Sequence, residues 1–190
     1  MQNNNINLLP IFDGHNDILL HLPERGNSSS FFTESEKGHL DLPRMRKGGF
    51  GGGFFAVFVP PQAGTVKEED IIKNENGYEF PLAPAIHYDY ALKTALTVTA
   101  RLFRIEAESE GQMKVVRTTS ELETSLHNGT IAAILHFEGA EAIDPDLDAL
   151  EVFYQAGLRS LGIVWSRPNI FGYGVPFKFP HSPDTGSGLT

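Results

Sequence analysis

No cysteine occurs among the 190 residues. The chain therefore has no disulfide framework and no thiolate metal site, and any metal must be held by His, Asp and Glu. Positive charge is also scarce. Fifteen Lys and Arg stand against 24 Asp and Glu, a net charge of −9, which disfavours a surface that tracks phosphates and supplies no polybasic membrane patch. Nucleic acid is thereby excluded as an expected partner. No apolar run approaches the ~18 residues of a membrane span, and residues 1–7 carry no basic group ahead of an apolar core, unlike a secretory leader. The expectation is a cytoplasmic chain with no membrane segment.

What is present is a composition of the ordinary globular kind. At 41% hydrophobic over 190 residues, the chain can bury a sizeable core as one large domain or as part of a bigger one. Residues 6–12 form a mostly apolar, strand-compatible run, and Asp13-Gly14-His15-Asn16-Asp17 follows where that run stops. If the chain stays extended to Asp17, the side chains of His15 and Asp17 project from one face, and an imidazole beside a carboxylate suits a borderline cation such as Zn²⁺. The alternative reading makes Asp17 or Asn16 a helix cap and His15 a loop or core histidine.

Further along, residues 16–22 read as a short helical turn ending at Pro23, and residues 27–36 as a Ser-rich loop. In Gly38-His39-Leu40-Asp41-Leu42-Pro43, Pro43 fits the first turn of a short helix with Asp41 or Leu42 at its start, and Gly48-Gly49 its stop. His39 and Asp41 are read as structural. The unbroken apolar run 54–59 reads as a strand buried on both faces, and residues 60–84 as a long loop or insertion.

Residues 85–109 carry an amphipathic stripe of Tyr88, Leu92, Ala95, Leu96, Thr99, Leu102 and Phe103. Residues 113–116 read as a short strand. Ser120-Glu121-Leu122-Glu123 has capping-box spacing and opens a helix that ends near Asn128-Gly129. Residues 130–137 then form a buried strand, Asp144-Pro145 caps a helix with Leu147, Leu150 and Phe153 or Tyr154 inward, and residues 158–165 form another strand. Strand, helix, strand at this spacing is a βαβ unit, which requires parallel pairing. Residues 166–190 read as an irregular Pro/Gly-rich tail, with Thr190 placed to cap a following helix.

In parallel α/β folds functional groups collect at the carboxyl ends of strands. His15 and Asp17 satisfy this for the first strand and Glu138 for the strand 130–137, which gives a thiolate-free His, Asp, Glu set. His136 shares a face with Glu138 and is read as a direct ligand, as support for one, or as a core histidine. Glu141 reads as a solvated or capping acid.

Taken in order, Asp13-Gly14-His15-Asn16-Asp17, residues 38–49, His136-Phe137-Glu138-Gly139-Ala140-Glu141 and Gly157-Leu158-Arg159-Ser160-Leu161 resemble the membrane dipeptidase (renal dipeptidase-like) family. The resemblance implies the N-terminal part of a (β/α)₈ TIM-type metallohydrolase barrel with four or five parallel strands, residues 1–190 forming an incomplete barrel domain. It implies a zinc-dependent dipeptidase that hydrolyses dipeptides through a metal-bound hydroxide. His15 and Asp17 match the family's pair on the first of two zinc ions, and Glu138 the catalytic-site carboxylate that bridges both. Trp165 falls where the family has a substrate-contacting histidine. The remaining ligands and substrate contacts belong to the family's later strands and are expected beyond Thr190, since a barrel takes roughly 250 residues. An alternative expectation is thus a truncated, catalytically incompetent chain with a partial metal site, or another metal-dependent amidohydrolase. A homo-oligomer is compatible with the resemblance.

Overall fold

The computed structural model describes residues 9–22, 29–62, 70–180, 186 and 188–189. The first residues of the 6–12 run, the acidic pair Glu68-Glu69 and most of the last ten residues lie outside the described set. Thr190 is among them, so both the helix cap expected there and the ligands expected beyond it fall outside the described residues. The elements, in chain order, are β1 (Ile11–Asn16), α1 (Ile18–His21), α2 (Ser29–Phe32), α3 (Leu42–Lys47), β2 (Phe50–Val57), β3 (Ile72–Asn74), β4 (Gly77–Glu79), α4 (Tyr88–Glu108), β5 (Met113–Val115), α5 (Thr119–His127), β6 (Ile131–Glu138), α6 (Asp148–Ala156), β7 (Leu158–Gly162) and β8 (Lys178–Phe179).

Alternating strands and helices build a five-stranded sheet in the order β1-β2-β6-β5, with β7 also paired to β6. β1 and β2 are parallel, as are β5 and β6, so α5 is the crossover of a βαβ unit. Parallel strands between helices are buried on both faces; Ile131, Ala132, Ala133, Leu135 and Phe137 of β6 accordingly have almost no exposed surface. The glycines of β2 permit this packing. A Cβ on Gly52 would lie 2.5 Å from the carbonyl oxygen of Ala132 on β6, a separation that repulsion forbids.

The residues gather into two compact units, 1–56 with 99–135 and 57–98 with 136–190, and β6 runs unbroken through the boundary. In the first, α3 begins at Asp41, whose side chain accepts from the Arg44 backbone at 2.9 Å, with proline in the first turn. In the second, β3, β4 and β8 form an antiparallel sheet. The stretch 60–84 therefore carries a hairpin, and part of the tail is its third strand.

Several local expectations are corrected. The loop at 27–36 holds α2, with Phe31 buried. On α4 Ala95, Thr99 and Leu102 of the expected stripe are buried, but the seam continues through Ala91, Val98 and Ile105, while Leu96 is half exposed; both stripes have three- and four-residue steps, and small alanines weakened the signal of the buried one. Thr118, not Ser120, caps α5, accepting from the Glu121 backbone at 3.1 Å. α6 starts at Asp148 rather than Pro145. The Asp144 carboxylate reaches forward to the backbones of Asp148 and Ala149 at 3.1 and 2.7 Å, so residues 145–147 form a turn and Leu147 stays exposed.

Candidate metal centre

β1 delivers His15 and Asn16, and the chain turns at Asp17 into α1. Asn16 faces inward, where its amide nitrogen donates to Asp13 Oδ2 at 3.1 Å and to the Phe54 carbonyl at 3.2 Å. That anchorage to β2 sends the side chains on either side of it outward. His15 Nε2 lies 3.4 Å from Asp17 Oδ1, and the two side chains are 39% and 46% exposed, open to an incoming ion. Asp17 stands at the N-terminus of α1, yet its carboxylate makes no capping bond, and its Oδ1 is buried without a hydrogen-bond partner among the described residues. The capping alternative for Asp17 therefore fails, and an anionic oxygen is left for another use.

Glu138 is the last residue of β6. The end of that strand alternates between buried Leu135 and Phe137 and half-buried His136 and Glu138, which puts the latter two on one face. His136 Nδ1 lies 2.9 Å from Ser160 Oγ of β7. One donor atom each of His15, Asp17 and Glu138 lies within 4.8 Å of the others; His136 is outside that group. A nitrogen and two carboxylate oxygens, with no cysteine in the chain, fit Zn²⁺ by donor chemistry, and the Asp17 oxygen fits the charge such an ion would bring.

Trp165 lies after β7 and takes no part in that set. Its ring packs edge-on against Phe58 and Phe177, with centroids 4.8 and 5.5 Å away. Beside it is a feature that the sequence reading missed. Glu141, expected in solvent, is buried, and its Oε1 accepts from Arg167 Nε at 2.6 Å with both side chains almost fully covered. Arg167 also donates to the Val59 carbonyl and lies 5.1 Å from the ring centroids of both Phe58 and Trp165. Removing one member of such a pair strands the other charge, at a cost of about 3–5 kcal/mol. The signal available was the apolar setting of Glu141, between Ala140 and Ala142-Ile143, all three buried.

Polar side chains at the carboxyl ends of parallel strands place the chain in the α/β class whose sites form at that sheet edge. More particularly, the sequence pattern of the membrane dipeptidase family, peptidase family M19, matches residues 3–190, and the chain belongs to that family. A protein of Acinetobacter calcoaceticus described as uncharacterized, from the PQQ-III 3' region, is 37% identical over 186 residues, covering 96% of this chain and 57% of its own. Among solved structures, a metallo peptidase from Rhodobacter sphaeroides, liganded with a phosphinate mimic of the dipeptide L-Ala-D-Ala, is 47% identical with a TM-score of 0.85; the match covers 96% of this chain and 53% of that one. The M19 metallo peptidase described as dipeptidase AC gives 47% and 0.84, over 96% and 50%. The chain thus spans about half the length of these relatives, and its α/β fold is that of part of their (β/α)₈-type barrel.

Proposed function

We propose that this chain carries the first metal site of a zinc-dependent dipeptidase, with His15, Asp17 and Glu138 as ligands. The observation that carries the reading is the convergence of their three donor atoms within 4.8 Å, in a chain of the membrane dipeptidase family. A zinc ion in that set would act as a Lewis acid on a peptide carbonyl and bring the pKa of a bound water to about 7.

The chain's own residues prepare the place. Asn16, tied to Asp13 and to the Phe54 carbonyl, holds the turn that presents His15 and Asp17. Asp17 Oδ1 makes no hydrogen bond among the described residues and has His15 Nε2 3.4 Å away, so the two donors stand side by side. Glu138 ends a strand whose neighbouring residues are buried, which limits its movement, and its two oxygens allow it to serve two ions, as two zincs would require. The substrate in this reading is a dipeptide, with Trp165 as a contact. A cytoplasmic location and a homo-oligomer accompany it as expectations from sequence.

The test is metal content. Purified chain exposed to zinc and desalted should retain the ion, and Asp17→Asn should lower retained zinc at least severalfold with an unchanged far-ultraviolet circular dichroism spectrum. Equal zinc in both proteins would remove Asp17 from the site. A second reading, a chain that holds metal without turnover, is favoured by the donor set, which among the described residues serves a single group. Dipeptide hydrolysis by the zinc-loaded chain would dismiss that reading; retained zinc with no hydrolysis would support it.

A further inference from the structure

The second compact unit contains a cleft of about 430 Å³, lined among others by Pro61, Tyr78, Phe80, Ala83, Trp165 and Phe177. Its size lies in the range of small-molecule sites, about 300–1,000 Å³. Among the described residues its wall is mostly rings and prolines, with no charged side chain and with Ser166 the only hydroxyl besides that of Tyr78. Such a wall offers no counter-charge to an acidic or basic side chain and much surface to an apolar one.

Position in the fold connects the cleft with the proposed chemistry. Pro61 follows the carboxyl end of β2, and Trp165 and Ser166 follow the carboxyl end of β7; both strands pair with β6, whose carboxyl end is Glu138. The segment after β7 stays against the one after β6, since the Ala140 backbone donates to the Ile163 carbonyl at 3.2 Å. The Trp165 ring is also held in place. Arg167 lies 5.1 Å from its centroid and is itself fastened to Glu141 at 2.6 Å, so the wall is formed before anything binds. β4 and the residue after it line the cleft as well: Tyr78 and Phe80 pack edge-on with centroids 5.8 Å apart, and Phe80 does so with Phe177 at 6.3 Å.

We propose that this cleft receives a bulky apolar side chain of the substrate, and that Trp165, Tyr78 and Phe177 set a preference for large apolar residues in the dipeptide. The proposal rests on the dipeptidase reading for the identity of the ligand, and on the cleft alone for the preference. Trp165 is the chain's sole tryptophan, so its fluorescence reports occupancy with no need for turnover.

The experiment titrates the intact zinc-treated chain with Leu-Leu and with Gly-Gly, which share a backbone and differ only in side chains. Leu-Leu should change Trp165 emission saturably with at least about tenfold higher affinity than Gly-Gly, the size expected when a leucine leaves water. Tyr78→Ser and Phe177→Ser alter side chains that are 44% and 45% exposed. Whichever of them folds should lose most of that preference, and a preference unchanged in a folded variant overturns the proposal. Zinc retention measured on the unsubstituted chain beside the titration separates the two ideas. A chain that retains no zinc yet still prefers Leu-Leu sinks the metal reading and keeps the cleft. Normal zinc retention with Leu-Leu bound no better than Gly-Gly sinks the cleft and keeps the metal reading.

Discussion

Asp17 and Asp41 both stand at the start of a short helix, and the structure puts them to opposite uses. Asp41 is 1% exposed. Burial alone would raise its pKa, but the backbones of Arg44 and Ser35 and the Arg44 guanidinium, 2.6 Å away, hold it below the ordinary carboxylate value. Because the folded pKa is the lower one, the stabilisation is complete above the unfolded value, about 3.9, and is lost as pH falls through the folded value. Asp41→Ala should therefore cost about 2 kcal/mol near neutrality, the upper end for a lost cap. Urea titrations of both proteins should show the gap narrowing in acid; a gap that is constant with pH would mean that the carboxylate charge contributes nothing. Asp17 has none of these partners. His15, Asp17 and Glu138 could be proposed from sequence because ligand chemistry needs few residue types, at strand ends, in short patterns, and the structure brings one donor atom of each within 4.8 Å of the others. The Glu141–Arg167 pair was not legible, because its members are 26 residues apart and only packing around β6 and β7 brings them together.

Among elements, α5 shows how far a local pattern reaches. Two overlapping stretches have the spacing of a capping box, Thr118 to Glu121 and Ser120 to Glu123, and nothing in the sequence chooses between them. In the fold Thr118 takes the cap and the Glu121 carboxylate turns back to the Arg117 backbone. That bond, acting against burial and aided by the attraction of Lys114, holds the Glu121 pKa below its usual value. Thr118→Ala should destabilise the protein by about 1 kcal/mol, whereas Ser120→Ala, inside the helix, should change stability by less than about 0.5 kcal/mol. Thermal melts of the two variants decide it, and the reverse ranking would return the cap to Ser120. The β3-β4-β8 sheet was illegible for a related reason. Strands of two or three residues show no alternation, and β8 joins β4 from about 100 positions away (Tyr78 opposite Phe179). The long helix α4 and strand β6 were legible because their length averages over local ambiguity, although a length that fixes an element's existence does not fix its buried face, as Leu96 shows.

On the scale of the whole chain, apolar exposure opposes net charge. Leu9, Ile11 and Phe12 are 87%, 57% and 40% exposed, beside and along β1, the strand at one end of the sheet order among the described residues. Apolar side chains gathered at a sheet's end favour association with other surfaces. The net charge of −9 resists that association between copies, over a range of about 30 Å at 0.01 M salt but only about 3 Å at 1 M. Added sodium chloride should therefore release self-association rather than suppress it. Sedimentation at several protein concentrations is expected to give a single-chain mass in low salt and, at about 0.5 M, a mass that rises with concentration, since screening removes the repulsion and leaves hydrophobic contact in place. Replacing Leu9 and Ile11 together by lysine removes apolar area where the argument puts it, but also lowers the net negative charge. If repulsion alone governed the behaviour, the double variant would associate more readily in low salt. If the exposed apolar groups govern it, the variant stays a single chain in high salt as well. A mass that is independent of salt in the parent protein would show that neither force acts at this surface.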